Sequence, residues 1–183
     1  MKFDTLREVQ ENLQNETFTC ASMIEDYLAR IEKNQNLNLF VEVFAHDARS
    51  RATVIDHKLK RGTAGKLAGL VLGIKDNLCY RGHKVTAASK ILDGFESLFD
   101  ATVVQRLLEE DAIIIGRLNC DEFAMGSSNE FSVTDPSKNP LNKKKVPEAA
   151  PVPVPLPWQP ACARLPWVVT PEVAYASRPA FVE

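Results

Sequence analysis

The sequence has 183 residues, 45% of them hydrophobic and 25% charged, with a net charge of −2. These values suit about one globular domain and exclude a strongly basic nucleic-acid surface. No apolar run approaches the ~20 residues of a membrane-spanning helix, so no membrane association is expected. The charged, amphipathic opening MKFDTLREVQ does not read as a signal peptide, and the four cysteines (Cys20, Cys79, Cys120, Cys162) show no metal-ligand spacing. Together these point to free thiols in a cytoplasmic protein.

Leu6, Val9 and Leu13 place a helical stripe on the segment from Asp4 to about Gln14. Thr19 can cap a second helix that carries Ala21, Ile24, Leu28 and Ile31 on one face, with acids early in it. A third helix is predicted from about Phe44 to Lys60, with Ala48, Ala52, Ile55 and Leu59 aligned, before Gly62 and Gly65 interrupt it. The pattern then changes. Leu67 to Ile74 is an apolar, glycine-punctuated run that suits a buried strand. Asp100 to Glu110 reads as a helix with Val103, Val104, Leu107 and Leu108 inside, and Ala112 to Gly116 as a short β-branched strand. Strand, long connection with a helix, then strand is the order of a βαβ unit. The expected fold is therefore α/β: a helical lead-in over 1–65, then the first part of an α/β core over 66–147. Two strands cannot bury both faces of such a sheet, so the core reads as incomplete.

Composition breaks near residue 136. All eight glycines lie at or before Gly126, and all eleven prolines lie at or after Pro136. Residues 148–183 accordingly read as a proline-rich tail outside the folded core.

Lys75 follows the first apolar strand in GIKDN. Desolvating an ammonium is costly, so a lysine there can serve as a neutral general base; alternatively it points to solvent and pairs with Asp76. The loop NCDEFAMGSSNE after the second strand is rich in small polar residues, and ligands bind beyond the carboxyl ends of parallel strands. Gly126, Ser127 and Ser128 could face a polar substrate, or simply form a capped turn. Asp121 and Glu122 are adjacent, so their side chains are expected to point apart. His46, His57 and His83 lack ligand-spaced partners and read as solvent-exposed, and no metal is expected. Lys143, Lys144 and Lys145 are too few for a nucleic-acid patch.

Taken together, LAGLVLGIKDN and ASKILDGFESLFDATVVQRLLEEDAIIIGRLNCDEFAMGSS closely resemble the amidase signature family, from the N-terminal helices to about Val146 and Pro147. The resemblance is strongest to the glutamine-hydrolysing subunits of tRNA-dependent amidotransferases; Cys120 stands where those have methionine. It implies a Ser–Ser–Lys triad in which Lys75 is the lysine, drawing a proton through a bridging serine. Met125, Gly126 and Ser127 match the stretch that lines the substrate pocket. It also implies glutamine as substrate, partner subunits B and C, and Glu-tRNA(Gln) as acceptor through the complex. No cofactor is implied for this chain, because ATP and Mg are used by the partner subunit. The alternatives are a free-standing amidase of the same family and a non-catalytic truncated binding fragment or pseudogene product.

Both family serines are missing. The family continues after Pro147 with P-G-G-S-S-G-x-S-A-A-A-V-A and later L-G-S-D-T-G-G-S-I-R-Q-P-A, where this chain has EAAPVPVPLPWQP and WVVTPEVAYASRP. Loss of one nucleotide near Pro147–Glu148 reconciles the two. Each restored codon then takes the last base of one codon and the first two of the next. Trp158 (TGG) forces Gln159 to become Ala, and Trp167 forces Val168 to become Gly, as the family has. All thirteen residues from Trp167 to Pro179 are compatible with the second motif. In that frame Ala150→Ser supplies the bridging serine and Ala174→Ser the nucleophile. As written, the chain is expected to be inactive. The competing expectation is a genuine proline-rich segment, extended and able to dock on an aromatic groove.

Overall fold

A computed structural model describes residues 5–126 and 128–138, together with the backbone of 167–169. Helix α1 spans Leu6–Gln14, α2 Cys20–Lys33 and α3 Ala45–Lys60, with strand β1 at Phe40–Val43 between the last two. Strand β2 (Val71–Lys75), helix α4 (Thr102–Glu109) and strand β3 (Ile113–Leu118) follow, then β4 (Trp167–Val169), three residues that join the sheet from within the segment expected to lie outside the folded core. The sheet order is β1-β3-β2-β4, with β2 parallel to both β3 and β4 and β1 antiparallel to β3. The architecture is mixed α/β, and β2–α4–β3 is the expected crossover unit.

Alternation along the strands divides the core into two layers. Val71, Ile113 and Ile115 face the helices α1 to α3, packing with Val9, Leu13, Met23, Ile24, Ala52 and Ile55. Leu72, Ile74 and Ile114 face the other way, against Val104 and Leu107 of α4 and against Phe44. Burial of both faces is why these strands are mostly apolar, with Lys75 at the end of β2 and Arg117 in β3 as the exceptions.

The lead-in is not purely helical. Phe40–Val43 joins the sheet as an edge strand, which the short FVEV sequence does not signal, because its residues are only half-buried. Gly116 admits it: a Cβ there would lie 2.6 Å from the Glu42 carbonyl oxygen.

Helix α2 starts in a capping box between Thr19 and Ser22. Its first turn contains no acid, and the early acids Glu25 and Asp26 fall in the second turn. The carboxylate of Asp56, on α3, supplies the negative charge instead and accepts from Cys20 N at 2.7 Å and Ala21 N at 3.1 Å. That contact is non-local, so helix spacing could not show it. The buried stripe of α2 also includes Cys20 and Met23, whereas Ala21 and Leu28 are half-buried.

Helix α4 ends at a left-handed Asp111 (φ 65°). The side chain of Arg51 donates to Ala112 O at 2.6 Å and to Leu108 O, closing the carbonyl end of α4 against α3. Cys20, Cys79 and Cys120 are free thiols, and Cys162 lies outside the described residues. No helix among the described residues is long and apolar enough to cross a membrane.

Candidate active site

Lys75 is the last residue of β2, aligned with Leu118 on β3, at the carboxyl ends of two parallel strands. Its side chain is half-buried, and its amine has no ion pair or hydrogen bond among the described residues. Pairing with Asp76, the alternative raised by the sequence, does not occur. The Asp76 carboxylate is fully buried and committed elsewhere.

Four groups surround that carboxylate. Thr86 N donates at 3.2 Å, Ala88 N at 3.0 Å, and the Thr86 hydroxyl closes on the second oxygen. Arg117 Nη1, from the neighbouring strand, forms an ion pair at 3.0 Å that is off the hydrogen-bond direction. Arg117 Nη2 reaches the other way to Glu42 on β1 at 2.7 Å. An arginine in the apolar strand IIIGRL was the one sequence signal of this arrangement. Sequence reasoning passed over it, together with the roles of Asp76 and Thr86.

The backbone around the lysine is constrained. Ala87 and Ala88 both have left-handed φ (48° and 52°), as do Phe123 and Ala124 (51° and 60°). Such conformations cost about 1–3 kcal/mol each and persist where the surroundings over-determine them. Here the two segments hold each other, through Phe123 N to Ala87 O (2.8 Å) and Val133 N to Ala88 O (2.9 Å).

Asp121 organises the following loop. It is buried and accepts from Asn129 N at 2.9 Å and Phe131 N at 3.0 Å. Glu122 turns outward and takes the Ser89 hydroxyl at 2.6 Å, so the adjacent acids do point apart. Gly126 packs on Asp121, where a Cβ would lie 2.4 Å from the carboxyl carbon. That steric role is independent of any ligand. Met125 is 83% exposed, and Ser128 donates to Glu130 at 2.7 Å. Ser127, Ala150 and Ala174 lie outside the described residues, as do Lys143 to Lys145.

Cys120 is buried beside this cluster. Burial, with Asp76 adding to it, pushes its thiol up to about 11, while Lys75 acts in the opposite sense. His83 departs from the solvent-exposed reading. It stacks on Tyr80 (centroids 4.3 Å apart), touches Phe44 (4.0 Å), and meets Asp47 at 3.0 Å. His46 and His57 are exposed.

The sequence and fold have counterparts among known proteins. The amidase family model matches residues 22–148. The chain belongs to the amidase signature family. Amidase-signature proteins of solved structure share its fold, among them an amidase with 28% identity and a TM-score of 0.68, over 75% of this chain and 32% of that one. The A subunit of the glutamyl-tRNA(Gln) amidotransferase of Thermotoga maritima superposes with a TM-score of 0.59 at 30% identity, over 79% of this chain and 29% of its own. The protein of the same name from Chlorobaculum tepidum is 47% identical over 148 residues, or 80% of this chain. The chain spans 31% of that relative's length.

Proposed function

We propose that this chain corresponds to the N-terminal part of the glutamine-hydrolysing A subunit of a tRNA-dependent amidotransferase, with Lys75 as its general base. The observation that carries the reading is the half-buried Lys75 amine, free of any acid among the described residues while its neighbour Asp76 is fully occupied. A base needs that separation, because a carboxylate beside it would hold its proton.

In the proposed reaction Lys75 draws the proton of the nucleophilic serine through the bridging serine. The serine oxygen attacks the glutamine carboxamide carbon, ammonia leaves with a proton, and water releases glutamate from the acyl-enzyme. Met125, Gly126 and Ser127 are assigned to the substrate pocket from their match to the family stretch. Ammonia then serves conversion of Glu-tRNA(Gln) to Gln-tRNA(Gln) on partner subunits B and C in the cytoplasm. ATP and Mg belong to that partner chemistry, and no residue of this chain is assigned to them.

Both serines depend on the restored frame, at positions 150 and 174. One observation supports that frame. The family match ends at residue 148, where the codon comparison puts the change. As written the chain is catalytically silent, since loss of a triad nucleophile costs about six orders of magnitude in subtilisin.

Glutamine hydrolysis by the frame-restored protein, with and without partner subunits, tests the reading. Stimulation by partners is the expected result. Turnover of unrelated amides with no dependence on partners would instead establish the free-standing amidase. Glutaminase activity in the chain as written would refute the restored frame.

A further inference from the structure

Asp76 is adjacent to Lys75, yet its carboxylate does not serve the lysine. It faces inward with no solvent exposure and gathers groups from three separate segments. These are its own strand end, the Thr86–Ala88 segment through two N–H groups and a hydroxyl, and β3 through Arg117. A fourth segment is reached one bond further on: the carbonyls of Ala87 and Ala88 accept from Phe123 and Val133, which bracket the loop holding Met125 and Gly126. Ala87 N also donates to the Asp76 backbone carbonyl at 3.0 Å, so side chain and main chain grip the same segment.

We infer that Asp76 is a positioning residue, coupling the strand end that carries Lys75 to the 121–133 loop through Thr86–Ala88, with Arg117 as its counter-charge. The inference rests on the amidase reading for its functional meaning, but its structural content stands apart from it. A carboxylate is needed here because only an acceptor-only group satisfies two N–H donors, a hydroxyl and a guanidinium together. Left-handed Ala87 and Ala88 are what the carboxylate holds in place; without it each relaxes to ordinary backbone and withdraws its carbonyl from the loop. Arg117 sits between Glu42 and Asp76 and keeps the buried charge compensated.

The test uses the 183-residue chain, labelled for NMR, as wild type, Asp76→Asn and Thr86→Val. Backbone amide exchange is read at Thr86, Ala88, Phe123 and Val133, alongside the Lys75 side-chain resonances. Expected in Asp76→Asn is about tenfold or greater acceleration at all four amides, the scale of one lost charge-assisted hydrogen bond. The Lys75 resonances should shift, and exchange in α2 and α3 should stay unchanged. Acceleration limited to Thr86 and Ala88 would overturn the coupling. So would acceleration spread equally over α2 and α3 in a variant that remains folded. If Asp76→Asn unfolds the chain, Thr86→Val decides, because it removes only the hydroxyl and leaves the ion pair intact. A rise confined to the four amides supports the coupling, and no change at Phe123 and Val133 overturns it. Neither readout needs turnover. Absence of glutaminase in the frame-restored protein would therefore count against the amidase reading while leaving the exchange result standing.

Discussion

Arg117 Nη1 lies 3.0 Å from Asp76 Oδ1 with both side chains closed to solvent, while the opposite arm of the same guanidinium holds Glu42 at 2.7 Å. One arginine of β3 thus joins the acid of β1 to the acid that follows β2. Truncating it leaves a buried carboxylate uncompensated, a loss of about 3–5 kcal/mol. Arg117→Leu should therefore lower the urea midpoint severely, whereas Glu42→Gln, at the half-exposed end, should cost far less. Equal effects from the two substitutions would show that burial does not control this network.

Lys75→Met separates chemistry from stability. The lysine makes no bond among the described residues, so the folded chain should change by less than about 0.5 kcal/mol. Turnover of the frame-restored protein should nevertheless vanish. Equilibrium unfolding and a glutaminase assay on the same preparation check both halves.

Asp111 ties α3 to the α4–β3 corner. Lys58 Nζ lies 2.6 Å from its carboxylate and Gly65 N 2.8 Å. Burial opposes its ionisation, but the Lys58 and Gly65 contacts, aided by Arg51, outweigh that and hold its pKa below the usual carboxylate range. A lowered folded pKa means that the ionised form stabilises the fold. That contribution is complete above the unfolded value of about 3.9 and disappears as pH falls through the folded value. Asp111→Asn should cost about 1–3 kcal/mol at pH 7. Below pH 3 the difference from wild type should narrow, as read by urea unfolding at the two pH values.

The Cys120 thiol, held up at about 11, should resist alkylation. At pH 8 its thiolate population is about 200-fold smaller than that of an exposed cysteine with a pKa near 8.5. Iodoacetamide labelling followed by peptide mass spectrometry should find half-buried Cys79 modified well before Cys120. Equal rates would place Cys120 at the surface.

Gly126 leaves no room for a side chain, because a Cβ at this position would stand 2.4 Å from the Asp121 carboxyl carbon. Gly126→Ala should displace the loop and cost about 1–3 kcal/mol. Faster exchange at Asn129 and Phe131, the two amides that Asp121 accepts, is the specific sign.

Most elements were legible because local pattern and burial agree. Thr19 capped α2, the apolar run ended in a strand at Lys75, and β2–α4–β3 formed the expected crossover. The outward turn of Glu122 away from Asp121 also followed from chain geometry. Strand β1 was not legible, since four half-buried residues between two helices carry no alternation of burial. The packed position of His83 was missed for a related reason, because Phe44 and Asp47, which it meets, come from a distant part of the chain.

Residue order alone placed Lys75 at a strand end, set the polar loop one βα unit later, and exposed the change of composition after residue 136. These are properties of neighbours along the chain, and periodicity and turn chemistry report them directly. Tertiary structure alone decided that Asp76 turns inward to Arg117 and Thr86 rather than sideways to Lys75. The reason is physical: a buried carboxylate goes to whichever donors the fold brings to it, and here those come from β3 and from a strained segment ten to twelve residues further along the chain.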